Sequence, residues 1–124
     1  MSHGRSSLTF RNSYGQKIFV AYMRRDFACQ EDCGAPWDVL GWINLDPGET
    51  ETRDNPTNNQ WFYYYAEAVD GGFWAGPYVA NVSQQRFQKC NCLGVVTSEG
   101  PQPYHDVGMR VLDSVAYSGV NFVR

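Results

Sequence analysis

Apolar and polar residues alternate along most of this chain with a period of two, and turn-forming residues interrupt the alternation about every ten positions. Leu8-Thr9-Phe10-Arg11-Asn12 alternates and predicts a strand. Ser13-Tyr14-Gly15-Gln16 predicts a turn, and residues 17–23 (KIFVAYM), apolar on both faces, predict a strand central to its sheet. Together these predict an opening hairpin. Residues 24–37 (RRDFACQEDCGAPW) hold no sustained period and carry Gly, Pro and two Cys, which predicts a long loop with room for one helical turn. Residues 39–45 resume the strand pattern, with Leu40, Trp42 and Asn44 on one face and Gly41, Ile43 and Leu45 on the other. Asp46-Pro47-Gly48-Glu49 has Pro second and Gly third, the type II turn arrangement. The polar residues 50–53 suit an edge strand, where alternating Glu and Thr discourage edge-to-edge pairing.

After a loop at 54–59 comes the densest stretch of the chain, WFYYYAEAVDGGFWAGP at 61–77. Trp61, Tyr63, Tyr65 and Glu67 fall on one face of a long strand and Phe62, Tyr64, Ala66 and Ala68 on the other. Asp70-Gly71-Gly72 supplies a tight hairpin turn, Phe73-Trp74 the returning strand, and Gly76-Pro77 its end. Residues 78–92 read as two short strands or as one strand and an irregular turn. Residues 93–96 predict a strand, 97–104 an exposed loop, and 107–112 and 114–123 two closing strands about Asp113-Ser114. No segment keeps a helical period over three turns. The prediction is an all-β fold: an antiparallel β-sandwich with long irregular loops, a single domain over residues 7–124 behind a flexible segment at 1–6.

Composition narrows the classes of function. A chain of 124 residues buries one core, and 43% hydrophobic against 19% charged residues describes a folded domain. A net charge of −3 leaves no electrostatic footprint for nucleic acid, and no apolar run approaches the roughly 18 residues that cross a bilayer. The N-terminus has no signal-peptide pattern, yet four cysteines in so short a chain favour an oxidising compartment. The expectation is a secreted or cell-surface protein.

The cysteines form two clusters, Cys29 with Cys33 and Cys90 with Cys92. A Cys90–Cys92 bridge closes a very small, strained ring, which leaves the two crossed pairings. Each closes loops of about 60 residues, worth about 4 kcal/mol in the chain-entropy model. Four thiolates around zinc are the alternative, but C-x-C is short for that site, so disulfides and no metal are expected.

Four blocks carry a family resemblance: LTFRNSYGQKIFVAYM at 8–23, the Gly41-Trp42 and Pro47-Gly48 pairs of GWINLDPG, YYYAEAVDGGFWAGP at 63–77, and FQKC at 87–90. With Val107-Gly108-Met109-Arg110 they make the chain similar to the bacterial family called domain of unknown function 1036. That resemblance implies a small, often exported bacterial domain with no transferable activity. It also implies that Cys33 and Cys90 are the family's two cysteines, pairing with each other and leaving Cys29 to Cys92.

No nucleophile elbow, phosphate loop or zinc-protease motif occurs, so no catalytic residue and no cofactor is assigned. His3 and His105 stand alone in sequence. Asp46, Glu49, Glu67, Asp70 and Asp106 match no calcium-loop spacing and read as turn-forming or solvated residues. Aromatic residues make up 15% of the chain. Trp42, Trp61, Tyr63, Tyr65, Trp74 and Tyr78 are candidates for a platform that stacks sugar rings or meets a protein, with Glu67 marking the wetter face. The expected function is a non-enzymatic module that binds a surface glycan or protein. A self-assembling coat or fibre subunit is the alternative, and a hydrolase or zinc enzyme ranks behind both.

Overall fold

The small sheet begins at the first strand, β1 (Ser7–Asn12), and the large one at the second, β2 (Ile18–Arg25). The structure, a computed structural model, describes residues 5–34, 36–55, 57–83, 85–90 and 104–123. Beyond β2 the described chain forms α1 (Phe27–Cys33), β3 (Trp37–Leu45), β4 (Thr50–Asp54), β5 (Trp61–Ala68) and β6 (Phe73–Trp74). It ends with β7 (Tyr78–Ser83), β8 (Phe87–Cys90), β9 (Tyr104–Asp113) and β10 (Gly119–Phe122). The fold is all-β. The large sheet runs β7-β9-β5-β2-β3-β8 with β6 added to β5, and the small one runs β10-β1-β4. Residues 78–92 thus contribute two short strands as far as they are described; the strand expected at 93–96 and the loop expected at 97–104 lie outside the described residues, apart from Tyr104, which opens β9. Among the described residues every ladder is antiparallel except β1 with β10.

Two apolar clusters follow from the alternation. Leu8 and Phe10 of β1 and Phe122 of β10 face Ile18, Val20, Tyr22, Phe62, Ala66 and Leu112 of the large sheet, which makes the inter-sheet core. Phe10 and Phe62 are fully buried, and the Phe62 ring stacks on Tyr22 with centroids 5.5 Å apart. The opposite face of the large sheet gathers Ala21, Met23, Val39, Ala80, Val82, Val107 and Met109. The sheet curls around that second cluster until β3 meets β7, where Trp42 Nε1 donates to Ser83 O at 2.7 Å.

Three expectations need correction. The opening hairpin does not form: β1 pairs with β4 and β10, and β2 pairs with β3 and β5. Asn12 is the reason. Wholly buried, it donates through Nδ2 to Gln16 O (2.7 Å) and Leu45 O (2.9 Å) and accepts from Tyr14 N–H (2.8 Å), so residues 13–17 make a corner between the sheets. The stretch expected as a loop contains α1 and the extended ends of β2 and β3. Asp26 caps α1 by accepting from Ala28 N–H at 3.0 Å, and Gly34, at φ +80°, closes it by donating to Gln30 O. Finally, β3 is bulged. Val20 faces Ile43 and Ala21 faces Gly41, so Trp42 is the extra residue. The bulge reverses the phase, and Leu40 packs with Ile43 on the inter-sheet core while Trp42 packs with Val39 on the other face.

The sulfur pairing is corrected as well. Cys29 is bonded to Cys90, with Cα atoms 5.4 Å apart and a sequence separation of 61. Cys29 is buried where α1 packs on β3 and β8, which brings it, rather than Cys33, to Cys90. The side chain of Cys33 and the whole of Cys92 lie outside the described residues.

Candidate functional site

On β5 the two faces part as strand geometry requires. Phe62, Ala66 and Ala68 are buried in the inter-sheet core, whereas Trp61 and Glu67 are exposed and Tyr63 and Tyr65 half-buried on the other side. Tyr63 meets Trp37 edge-on at 5.3 Å and Tyr78 at 5.1 Å. Tyr65 meets Trp42 at 6.1 Å, and Trp42 meets Phe87 at 6.2 Å. The rings of this face therefore form two groups, Tyr63 with Trp37 and Tyr78, and Tyr65 with Trp42 and Phe87.

A polar tip ties the second group to Glu67. Tyr65 donates its hydroxyl to Glu67 Oε2 at 2.9 Å. Burial, then the hydrogen bond to Glu67 and its charge, push the Tyr65 phenol up to about 12. Burial also raises Tyr63, with Tyr78 adding to it. Both hydroxyls stay protonated across the physiological range and remain hydrogen-bond donors.

Trp74 does not belong with the others. It sits against the inter-sheet core, edge-on to Tyr14 at 5.0 Å and to Phe122 at 5.3 Å, and its indole nitrogen donates to Val123 O at 3.3 Å. Its period-two position on β6 pairs it with Ala66, a residue of the core face. Trp61 is 44% exposed at the far end of β5.

The residues that do converge surround a cavity of about 910 Å³ at the β3 side of the sandwich. From the curled face come Phe19, Trp42, Asn44 and Glu67. From the inter-sheet side come Tyr22, Leu40 and Ile43. Glu51 and Arg53 reach in from β4, and Arg86, Phe87 and Gln88 from β8 and the turn before it. Of the six aromatic candidates the site takes in Trp42 alone, together with Glu67, and it leaves out Trp61, Tyr63, Tyr65, Trp74 and Tyr78. The groove exists because β8 pairs with β3 only from Asp38 to Gly41, leaving the 42–45 half of that edge open. Gly41 is essential to its shape, since a Cβ there would stand 2.5 Å from Phe87 Cε1.

The lining is chemically mixed. Phe19, Trp42 and Phe87 give apolar faces. Asn44 and Gln88 offer amides, Glu67 a carboxylate and Arg86 an exposed guanidinium. Glu51 and Arg53 are bound to each other at 2.8 Å. Burial keeps the Tyr22 phenol protonated against the pull of Arg24 and Arg53. Among the described residues, no Ser, Thr, Cys, His or Lys lines the cavity.

The other candidate groups are dispersed. His105 is exposed on β9, and Asp106 accepts from Asn81 Nδ2 at 3.0 Å; His3 lies outside the described residues. Asp70 accepts from the Tyr14 hydroxyl and from Gly72 N–H, and Glu49 accepts from Asp46 N–H, so these acids serve turns. No family model matches the chain, and no curated protein and no solved structure matches it.

Proposed function

We propose that this chain is a non-enzymatic binding module and that it takes a glycan into the groove along β3. One observation carries the reading: a cavity of about 910 Å³, the size of a small-ligand site, in which four aromatic residues stand beside two amides, two carboxylates and two arginines. Sugars present apolar C–H faces and a rim of hydroxyls. Aromatic faces cover the first, and planar amides, carboxylates and guanidinium groups bind the second. A location outside the cytosol, supported by the Cys29–Cys90 disulfide, and membership of the unknown-function 1036 family, supported by the four sequence blocks, belong to the same proposal. The test is a glycan array on the folded protein, followed by calorimetry of any hit with Trp42→Ala and Phe87→Ala. Binding lost in both variants supports the reading; a blank array, or variants that bind like the parent, sinks it.

Self-assembly is the second reading, favoured by the exposed Tyr78 and Val79 on β7, an edge strand of the large sheet. Light scattering that shows a strict monomer from low to high concentration removes it.

A further inference from the structure

Away from the groove, the helix α1, the strand β3 and the strand β8 bring one side chain each to a single point. The sulfurs of Cys29 and Cys90 and a carboxylate oxygen of Asp38 all lie within 4.8 Å of one another. Asp38 is directly opposite Cys90 in the β3–β8 ladder, so backbone pairing sets their spacing. Burying a carboxylate to 3% exposure against a disulfide is costly, because a disulfide offers it no hydrogen-bond donor. Its neighbours are the Gln88 amide, donating at 2.8 Å, and the Arg24 guanidinium at 3.7 Å.

We propose that, once the disulfide is reduced, Cys29, Asp38 and Cys90 form a binding site for a thiophilic divalent cation of the zinc type. The electron balance is simple. A dithiol reductant delivers two electrons and two protons to the Cys29–Cys90 bond and leaves as its own disulfide. Each protein thiol then loses its proton as it ligates, so uptake of one cation releases two protons to solvent. The charge balance is also closed. Two thiolates and a carboxylate carry three negative charges, and a divalent cation with the Arg24 guanidinium supplies three positive ones. Two sulfurs and one carboxylate oxygen suit a tetrahedral ion, at roughly 2.3 Å for sulfur and 2.0–2.2 Å for oxygen, with the fourth position left to solvent. Around such an ion neighbouring donors stand roughly 3.5–3.8 Å apart. Donors already confined within 4.8 Å reach that spacing by side-chain rotation. Gln88 then acts as a positioning residue that holds the Asp38 carboxylate.

The test uses the whole chain, reduced with a phosphine under anaerobic conditions, freed of reductant and titrated with Co²⁺. The expected result is one ion per chain, with the thiolate-to-cobalt charge-transfer band and the visible bands of a tetrahedral site, both removed by added Zn²⁺. Asp38→Asn is expected to weaken Co²⁺ affinity at least tenfold while the oxidised protein keeps its far-UV spectrum. The double variant Cys29→Ser, Cys90→Ser is expected to lose the charge-transfer band. The proposal is overturned if the reduced parent shows no such band or if Asp38→Asn binds as tightly as the parent. It is equally overturned if the double serine variant keeps the band, since Cys33 and Cys92 would then be the ligands.

Discussion

The indole nitrogen of Trp42 donates to the carbonyl oxygen of Ser83 at 2.7 Å, joining β3 to β7 across the three strands that separate them in the sheet. This bond holds the curl of the large sheet, and the same ring lines the groove. Trp42→Phe removes the bond and keeps an aromatic face, with an expected loss of about 1–2 kcal/mol. Trp42→Ala also removes ring packing, for about 2–4 kcal/mol, discounted from the fully buried range because the ring is half-buried. Urea unfolding measures both. Any ligand taken by the groove should tolerate the first change and not the second.

Neighbouring positions on β5 should differ sharply. Phe62 is wholly buried between Phe10 and Tyr22, so Phe62→Ala is expected to cost about 3–5 kcal/mol. Trp61, exposed at 44%, should change stability by no more than about 1 kcal/mol when replaced by Ala. Equal losses in the two variants would mean that the faces of β5 are assigned the wrong way round.

Tyr65 provides a pH signature. Its phenol is raised to about 12 in the folded state against an ordinary value near 10.0, so the folded protein holds this proton more tightly than the unfolded chain. The stabilisation is therefore complete below pH 10 and is lost as pH rises from 10 through 12. In Glu67→Gln the charge of the acceptor is gone, and Tyr65 should titrate below 12. It should stay above 10, because burial is the largest cause of the shift. The difference in tyrosinate absorbance between parent and variant, followed against pH, reads this directly.

The Cys29–Cys90 bond spans 61 residues, and its removal in Cys29→Ser is expected to cost about 4 kcal/mol in metal-free buffer. Comparing oxidised and phosphine-reduced parent by thermal unfolding should give a similar loss. A variant as stable as the oxidised parent would mean that the unfolded chain is already constrained near this loop.

The faces of the strands were legible in the sequence, and their partners were not. Period two places Phe62, Ala66 and Ala68 together whatever lies beside them, because alternation is a property of one extended chain. It cannot tell that β1 leaves β2, since Leu8 and Phe10 show the same alternation whether they pair with a neighbour or pack across a sandwich. Leu40 was misplaced by a single inserted residue, which parts it from Trp42 and puts it with Ile43 and Leu45 on the inter-sheet core. Seven residues are too short for α1 to display its period, although Asp26 and Gly34 flank it with ordinary cap chemistry that marks its ends. The groove was the least visible feature. Glu51 and Arg53 read as a solvated edge, and Arg86 and Phe87 as part of an ambiguous segment. Only the fold brings these four residues, from strands distant in sequence, around Trp42 and Glu67.

The parallel ladder from Thr9–Gly119 to Asn12–Phe122 joins the earliest strand to the latest, about 110 residues downstream. During synthesis β1 can take β4 as its first neighbour, but its other edge stays bare until β10 leaves the ribosome. Phe122 also closes the cluster around Phe10, so the inter-sheet core remains open to water on that side for the same interval. A chain wired in this way commits to its final shape late, as high-contact-order folds do. Losing the β10 strand alone would leave a hydrophobic slot and a free strand edge on every molecule.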